Sequence, residues 1–239
     1  MIINVSAGHN PDGKIACGAI GYIRESTEAR RVKNEVIQQL KRLGHEVHDC
    51  TCENGVSQAD VLSKIVTKCN AHKVDLDVSI HFNAGAKDAV GNKQTTGTEV
   101  FLFSAGSQAK RYAEGVVKAI SGLGFKNRGV KTNPNLYYLR KTKAPSMLIE
   151  CCFVDDKDDV ALYDYQQMAS AIVRGICGIN PPIQEDRSDI EAAWNDSETQ
   201  TGLATLYRVQ VGAYMKEINA KDMQAKLKKA GFDSIIVKS

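Results

Sequence analysis

Over residues 1–178 this chain alternates two hydrophobic periods, and that alternation limits the fold more than any other feature. Short apolar runs at Ile2–Ser6, His45–Cys50, Asp75–Phe82, Thr98–Phe103, Tyr137–Arg140 and Ser146–Phe153 predict strands. Between them, apolar residues recur at steps of three and four. Ala29, Val32, Val36, Leu40 and Leu43 predict a helix over 25–43, which Gly44 ends as a C′ residue. Val61, Leu62, Ile65, Val66 and Cys69 mark a second helix, and Ala109, Ala113, Val116, Val117 and Ile120 a third. Residues 158–176 read as one last long helix. Repeated strand–helix alternation predicts an α/β fold: a mostly parallel twisted sheet flanked by helices on both faces.

In open sheets of this kind, ligands collect outside the carboxyl ends of the strands. Three apolar runs end there in a residue capable of acid–base or metal chemistry. Ile2–Val5 leads to Ala7–Gly8–His9, Val78–Ile80 to His81 and Asn83, and Met147–Ile149 to Glu150. Glu25 opens the first helix, just after the glycine-containing loop 18–21. Two imidazoles and carboxylates converging on one edge match a zinc site with an open fourth position. Each residue also has a purely structural reading. A histidine after a strand can be a hydrogen-bonded edge residue, and Glu25 can complement a helix dipole. Glu150, set among Leu148, Ile149, Cys151 and Phe153, is costly to bury unpaired. No H-E-x-x-H helix, G-x-S-x-G elbow or G-x-G-x-x-G turn is present, which argues against zincin proteases, α/β-hydrolases and the common dinucleotide fold.

The seven cysteines are an odd set without a C-x-x-C pair, so they read as small core residues rather than as a zinc ribbon or redox motif. A formal net charge of +3 gives no argument for nucleic acid. No apolar run approaches the roughly 18 residues of a membrane span. Residues 1–8 read as a buried strand and not a secretory signal, so the expectation is synthesis in the cytoplasm and action outside only after release.

The charge is unevenly placed. Between Pro181 and Glu198 six acidic residues face Arg187 alone, and from Arg208 onward seven basic residues face three acidic ones. The expected organisation is a domain over 1–178, an acidic linker over 179–204 and a small basic module over 205–239. In that module Tyr207, Val209, Val211 and Ala213 alternate with polar residues as a strand. Asn219 can cap a helix with a stripe of Ala220, Met223, Leu227 and Ala230, and 234–237 is a second strand.

Taken in order, these pieces resemble a known family. Ala7–Gly8–His9, Gly18–Ala19 with Gly21 and Glu25, and Ser79–Ile80–His81–Phe82–Asn83–Ala84 come first. Gly97–Thr98–Glu99–Val100, Asn127–Arg128–Gly129–Val130–Lys131, Leu136–Tyr137 to Arg140, and Pro145 to Glu150 with Phe153 follow. Residues 1 to about 178 resemble the zinc-dependent N-acetylmuramoyl-L-alanine amidases of the amidase-3 family, which includes autolysins and phage endolysins. The string Tyr207–Arg208–Val209–Gln210–Val211–Gly212–Ala213–Tyr214 resembles one half of a SPOR domain, a glycan-binding module of cell-wall proteins.

The resemblance implies that His9, Glu25 and His81 hold zinc and that Glu150 is the catalytic carboxylate. Glu28 rivals Glu25, which is preferred because its distance to the Gly44 turn fits the family helix better. It further implies hydrolysis of the amide joining N-acetylmuramic acid to L-alanine. Asn83 and either Arg140 or Lys131 are candidate contacts to the stem peptide, and Arg208, Gln210 and Tyr214 to wall glycan. Since only one βαβ repeat is present, two chains are expected to pair their tails as a homodimer. Two departures stand out: Ser6 occupies a position where family members commonly have Asp, and Cys151–Cys152 replaces small residues, so that one thiol could face the pocket. Two other classes remain open, a different zinc peptidase or deacetylase on this fold and a catalytically inert wall-binding protein.

Overall fold

A computed structural model of the chain describes residues 1–178, 220, 221, 223–225, 227 and 236. The chain divides into two compact units, Met1–Gln184 and Glu185–Ser239. In the first, β1 (Ile2–Ala7), α1 (Glu25–Arg42), β2 (Glu46–Asp49), α2 (Gln58–Asn70) and β3 (Leu76–Asn83) alternate as expected. β4 (Thr98–Leu102), α3 (Lys110–Ser121), β5 (Asn127–Thr132), α4 (Tyr137–Lys141), β6 (Ser146–Phe153), α5 (Lys157–Leu162) and α6 (Tyr165–Cys177) complete it.

The six strands form one sheet in the order β2-β1-β3-β6-β4-β5. All neighbours are parallel except β4 and β6, which run antiparallel. Residues paired across strands share a face. Ile3, Val5, Val78, Ile80, Val100, Met147 and Ile149 therefore line one face, and all are fully buried under α1, α3 and α6. Asn4, Ser6, Asp77, Ser79, His81, Glu99 and Glu150 line the other face. On that side α2 and α4 build a smaller cluster of Val61, Ile65, Cys69, Tyr138 and Leu139 on Leu148.

Local signals explain several element ends. The Ser57 hydroxyl accepts from the Asp60 N–H to start α2, and Gly44, with φ 81°, follows α1 in the left-handed region.

Three expectations are corrected. Tyr137–Arg140 is a helical turn, because Tyr138 and Leu139 bury against the α2 cluster, and a short apolar run does not by itself distinguish strand from helix. The single helix over 158–176 is two helices: the Asp164 carboxylate accepts from the Gln166 and Gln167 N–H groups and starts a new one. β5 escaped the pattern because Asn-Arg-Gly-Val-Lys-Thr carries almost no apolar signal; it is an edge strand with a register shift against β4.

In the second unit, Ala220, Lys221, Met223, Gln224, Ala225 and Leu227 are helical. The expected stripe residues Ala220, Met223 and Leu227 are half-buried, while Lys221 and Ala225 are exposed. The linker, Arg208, Gln210, Tyr214 and the dimer built on the one-repeat module lie outside the described residues. Among the described residues no helix is long and apolar enough to cross a membrane.

Candidate active site

His9 follows β1 through Gly8, whose N–H donates to the Ile80 carbonyl and prolongs the β1–β3 pairing (3.1 Å). Only glycine fits there: a Cβ on Gly8 would fall 1.8 Å from His81 Cε1. The loop beyond is fixed by Asn10, fully buried, which bonds Ile15 and Gly55, and by the Arg30 guanidinium, which donates to the His9 carbonyl (2.7 Å).

Glu25 is the first residue of α1, and its carboxylate turns back into the strand ends. Oε2 accepts from the Ala19 N–H (2.7 Å), and Oε1 accepts from the Phe82 N–H (3.2 Å). The same Oε1 lies 3.1 Å from His9 Nε2 and 3.0 Å from His81 Nδ1. The two rings meet edge to face with centroids 4.9 Å apart. Each of the three side chains offers one donor atom, and these atoms lie within 4.8 Å of one another.

The structure therefore brings together His9, Glu25 and His81. It does not add Glu28, whose carboxylate pairs with Arg31 and accepts from the Tyr163 hydroxyl (2.9 Å).

Glu150 is placed by strand register: it pairs with His81 of β3 on one side and with Glu99 of β4 on the other. Its Oε2 is buried without a hydrogen-bond partner. Burial first, then the negative charges of Glu25 and Glu99, hold its carboxyl well above the ordinary range. Glu25 is opposite in character. Burial alone would raise it, but its hydrogen bonds to His81 and His9 and their charges hold it well below that range. Burial also lowers His81, against the pull of Glu25, which favours the neutral ring that a metal requires.

The other candidates separate. Asn83 donates to Glu99 Oε1 (2.9 Å), next to Glu150, and Lys131 bonds the same carboxylate. Arg140 is not brought to the trio. It stands exposed on α4, which leads into the start of β6, at the opposite strand end from Glu150, with its guanidinium 6.0 Å from the Tyr137 ring centre. The Ser6 hydroxyl reaches Ser79 (3.4 Å). Cys151 and Cys152 are both fully buried in the main core, so neither thiol faces the open side.

Sequence reasoning missed Glu99 and Arg128 as members of the site. Arg128 Nε donates to Glu99 Oε2 (2.7 Å) beside Lys131. A lone acid inside the apolar run of β4 was the available signal, since a buried carboxylate demands a cation.

Comparison with known proteins places this geometry in a lineage. Residues 3–178 match the N-acetylmuramoyl-L-alanine amidase family, and residues 188–238 match the SPOR domain, reaching back into the stretch expected as a linker. An uncharacterized protein of Clostridium perfringens (strain 13 / Type A) is 38% identical over 167 residues, 68% of this chain and 47% of that protein. The N-acetylmuramoyl-L-alanine amidase CwlM of Bacillus licheniformis is 28% identical over 181 residues, covering 74% of this chain and 62% of CwlM. The chain thus spans about half the length of the curated relatives it matches first. Among solved structures, the catalytic domain of the CD27L endolysin targeting Clostridia difficile superposes with a TM-score of 0.66 at 26% identity, over 76% of this chain and 99% of that one. With most of its length matched by one family model, and with both histidines and both carboxylates gathered at the strand ends that the motifs anticipate, the chain belongs to the N-acetylmuramoyl-L-alanine amidase family.

Proposed function

We propose that the chain hydrolyses the amide between N-acetylmuramic acid and L-alanine in peptidoglycan, as a lytic enzyme of the endolysin or autolysin type. The observation that carries this reading is the convergence of His9, Glu25 and His81 beside a carboxylate, Glu150, that has an unpartnered oxygen. Two imidazoles and an anionic carboxylate, with donor atoms within 4.8 Å of one another, suit zinc in a three-ligand catalytic site. When bound there, such an ion supplies Lewis acidity and lowers the pKa of water to about 7.

The chain's own groups handle the protons. Glu150 accepts a proton from the attacking water and returns it to the departing nitrogen of L-alanine. Its raised affinity for protons suits both steps, while Glu25, close enough for its charge to act on Glu150, stays ionised; environment drives two like groups to different roles. Arg30 and Asn10 hold the His9 loop, and the Phe82 and Ala19 N–H groups orient Glu25.

Residues 1–178 serve as the catalytic domain, 179–204 as an acidic linker and 205–239 as a wall-binding module. Removing 181–239 should reduce association with cell walls more than cleavage of a short soluble muropeptide. End-group analysis of digested wall tests the reading. New L-alanine amines are expected, whereas new D-amino termini or acetate release would make the enzyme a peptidase or a deacetylase. Lytic activity that survives complete chelation would remove the metal from the proposal, and binding without any hydrolysis would leave an inert wall-binding protein.

A further inference from the structure

The proton-transfer scheme leaves unused a charged cluster that begins next to Glu150. Glu99, 3% exposed, sits beside Glu150 in the β4–β6 register and so shares its face of the sheet. Its two oxygens take three donors: Asn83 Nδ2, Arg128 Nε and the Lys131 ammonium. One buried negative charge thus anchors two positive ones, leaving a surplus of one. The side chains of Arg128 and Lys131 remain 30% and 40% exposed. Only Nε of Arg128 is used; its two terminal nitrogens have no partner among the described residues, so the planar fork is open. Phe153 lies under the guanidinium, 5.0 Å from it, and Phe101 lies 6.0 Å from the Lys131 nitrogen.

A guanidinium braced from behind by a buried carboxylate and from below by an aromatic ring is preorganised to receive a second carboxylate bidentately. Were these cations only counterions for Glu99, one would suffice, and its hydrogen-bonding groups would be consumed.

We infer that Arg128 and Lys131, anchored on Glu99, form a subsite for a free carboxylate of the stem peptide. This deepens the amidase reading and rests on it. Of the two halves of that substrate, the N-acetylated sugars are neutral and the peptide carries acids. β5 is two strands from β6, about 10 Å across the sheet. An extended peptide advances about 3.3–3.6 Å per residue, so the second or third stem residue would reach the fork. Both sources offer the same chemistry, a carboxylate on a peptide backbone. Glu99 is a positioning residue here; Arg128 and Lys131 touch the ligand.

The test uses the full metal-loaded chain and soluble N-acetylmuramoyl tripeptides in four forms: second-residue α-carboxylate free or amidated, and third-residue carboxylate free or amidated. Hydrolysis and equilibrium binding are measured on each. One of the two amidations should raise KM about ten- to a hundredfold with a smaller change in kcat, as expected for loss of a charge-assisted contact. Arg128→Ala and Lys131→Ala should each collapse that discrimination toward one, Arg128→Lys should restore part of it, and added salt should shrink it. The amidation that matters identifies which residue is read. Hydrolysis with no preference at either position, or a preference that persists in the double Arg128→Ala/Lys131→Ala variant, overturns the subsite while leaving the amidase reading intact. Carboxylate-dependent binding without hydrolysis overturns the amidase reading alone, and the absence of both overturns the two together.

Discussion

The two faces of the sheet follow different rules. Under α1, α3 and α6, side chains such as Val5, Val78, Ile80, Met147 and Ile149 join one apolar cluster, and all are fully buried. Across the same strands, one residue out of phase, stand Asn4, Asp77, His81, Glu99 and Glu150. Several of their polar atoms, including Asn4 Oδ1, Asp77 Oδ2 and Glu150 Oε2, find no hydrogen-bond partner. Burial without satisfaction costs stability. The first face therefore holds the fold together, and the second gives up stability to hold polar chemistry in place. A one-residue slip of any central strand would exchange the two roles.

The largest test breaks the second face at its centre. His81→Ala should release the metal and lower hydrolysis by about ten-thousandfold or more, equivalent to about 5.5 kcal/mol in transition-state stabilisation. Metal analysis alongside turnover checks it, and a variant that loses activity but keeps stoichiometric metal would show that His81 is not a ligand. Glu150→Gln should retain the metal and the fold and lose about a hundred- to ten-thousandfold in kcat. Near-normal turnover in that variant would sink its role as proton carrier.

The first face is probed by Ile149→Ala, one residue from Glu150 and pointing the opposite way. It should cost about 2–5 kcal/mol of stability while the surviving folded protein still binds metal. Thermal unfolding with a metal count would refute the separation of roles if metal affinity fell in step with stability.

The smallest effect concerns Asp77, on the second face but remote from the trio. Burial first raises its carboxyl above the ordinary value of 3.8, against its bonds to Asn4 and Cys69. The folded state therefore holds this proton more tightly than the unfolded state, and stability falls as pH rises above about 4 through the folded pKa. Asp77→Asn can keep the 2.7 Å bond from Asn4 and removes the charge, so stability at pH 7 should rise by about 1 kcal/mol and the difference should vanish in acid. A lower midpoint at pH 7 would mean that the carboxylate has a partner that the fold does not reveal.

Much of this is legible in the sequence alone. The period of three and four located α1, α2 and α3, and the apolar runs located five strands, because hydrophobic burial writes its geometry directly into spacing. β5 left no such trace: an edge strand with half-exposed side chains has little to bury. Tyr137–Arg140 reads as a strand because so short an apolar run carries no decisive period, and the α2 cluster that buries Tyr138 and Leu139 is remote in sequence.

The site divides along the same line. The residues proposed to carry the chemistry, His9, Glu25, His81 and Glu150, can be named because each ends an apolar run or opens a helix, and because the motifs occur in the order of a known family. Why Glu25 and not Glu28 faces the histidines depends on the pitch and placement of α1, which turns Glu28 toward Arg31 and Tyr163. The Glu99–Arg128–Lys131 cluster depends on β5 pairing with β4, and its place beside Glu150 on β4 running antiparallel to β6, pairings no local pattern encodes. By itself the sequence determined which segments must be buried and what chemistry lies near their ends, since both follow from composition and spacing. Only the tertiary structure decided which carboxylate is held ionised and which binds protons more tightly, since that balance is set by burial, charges and hydrogen-bond donors brought together from distant parts of the chain.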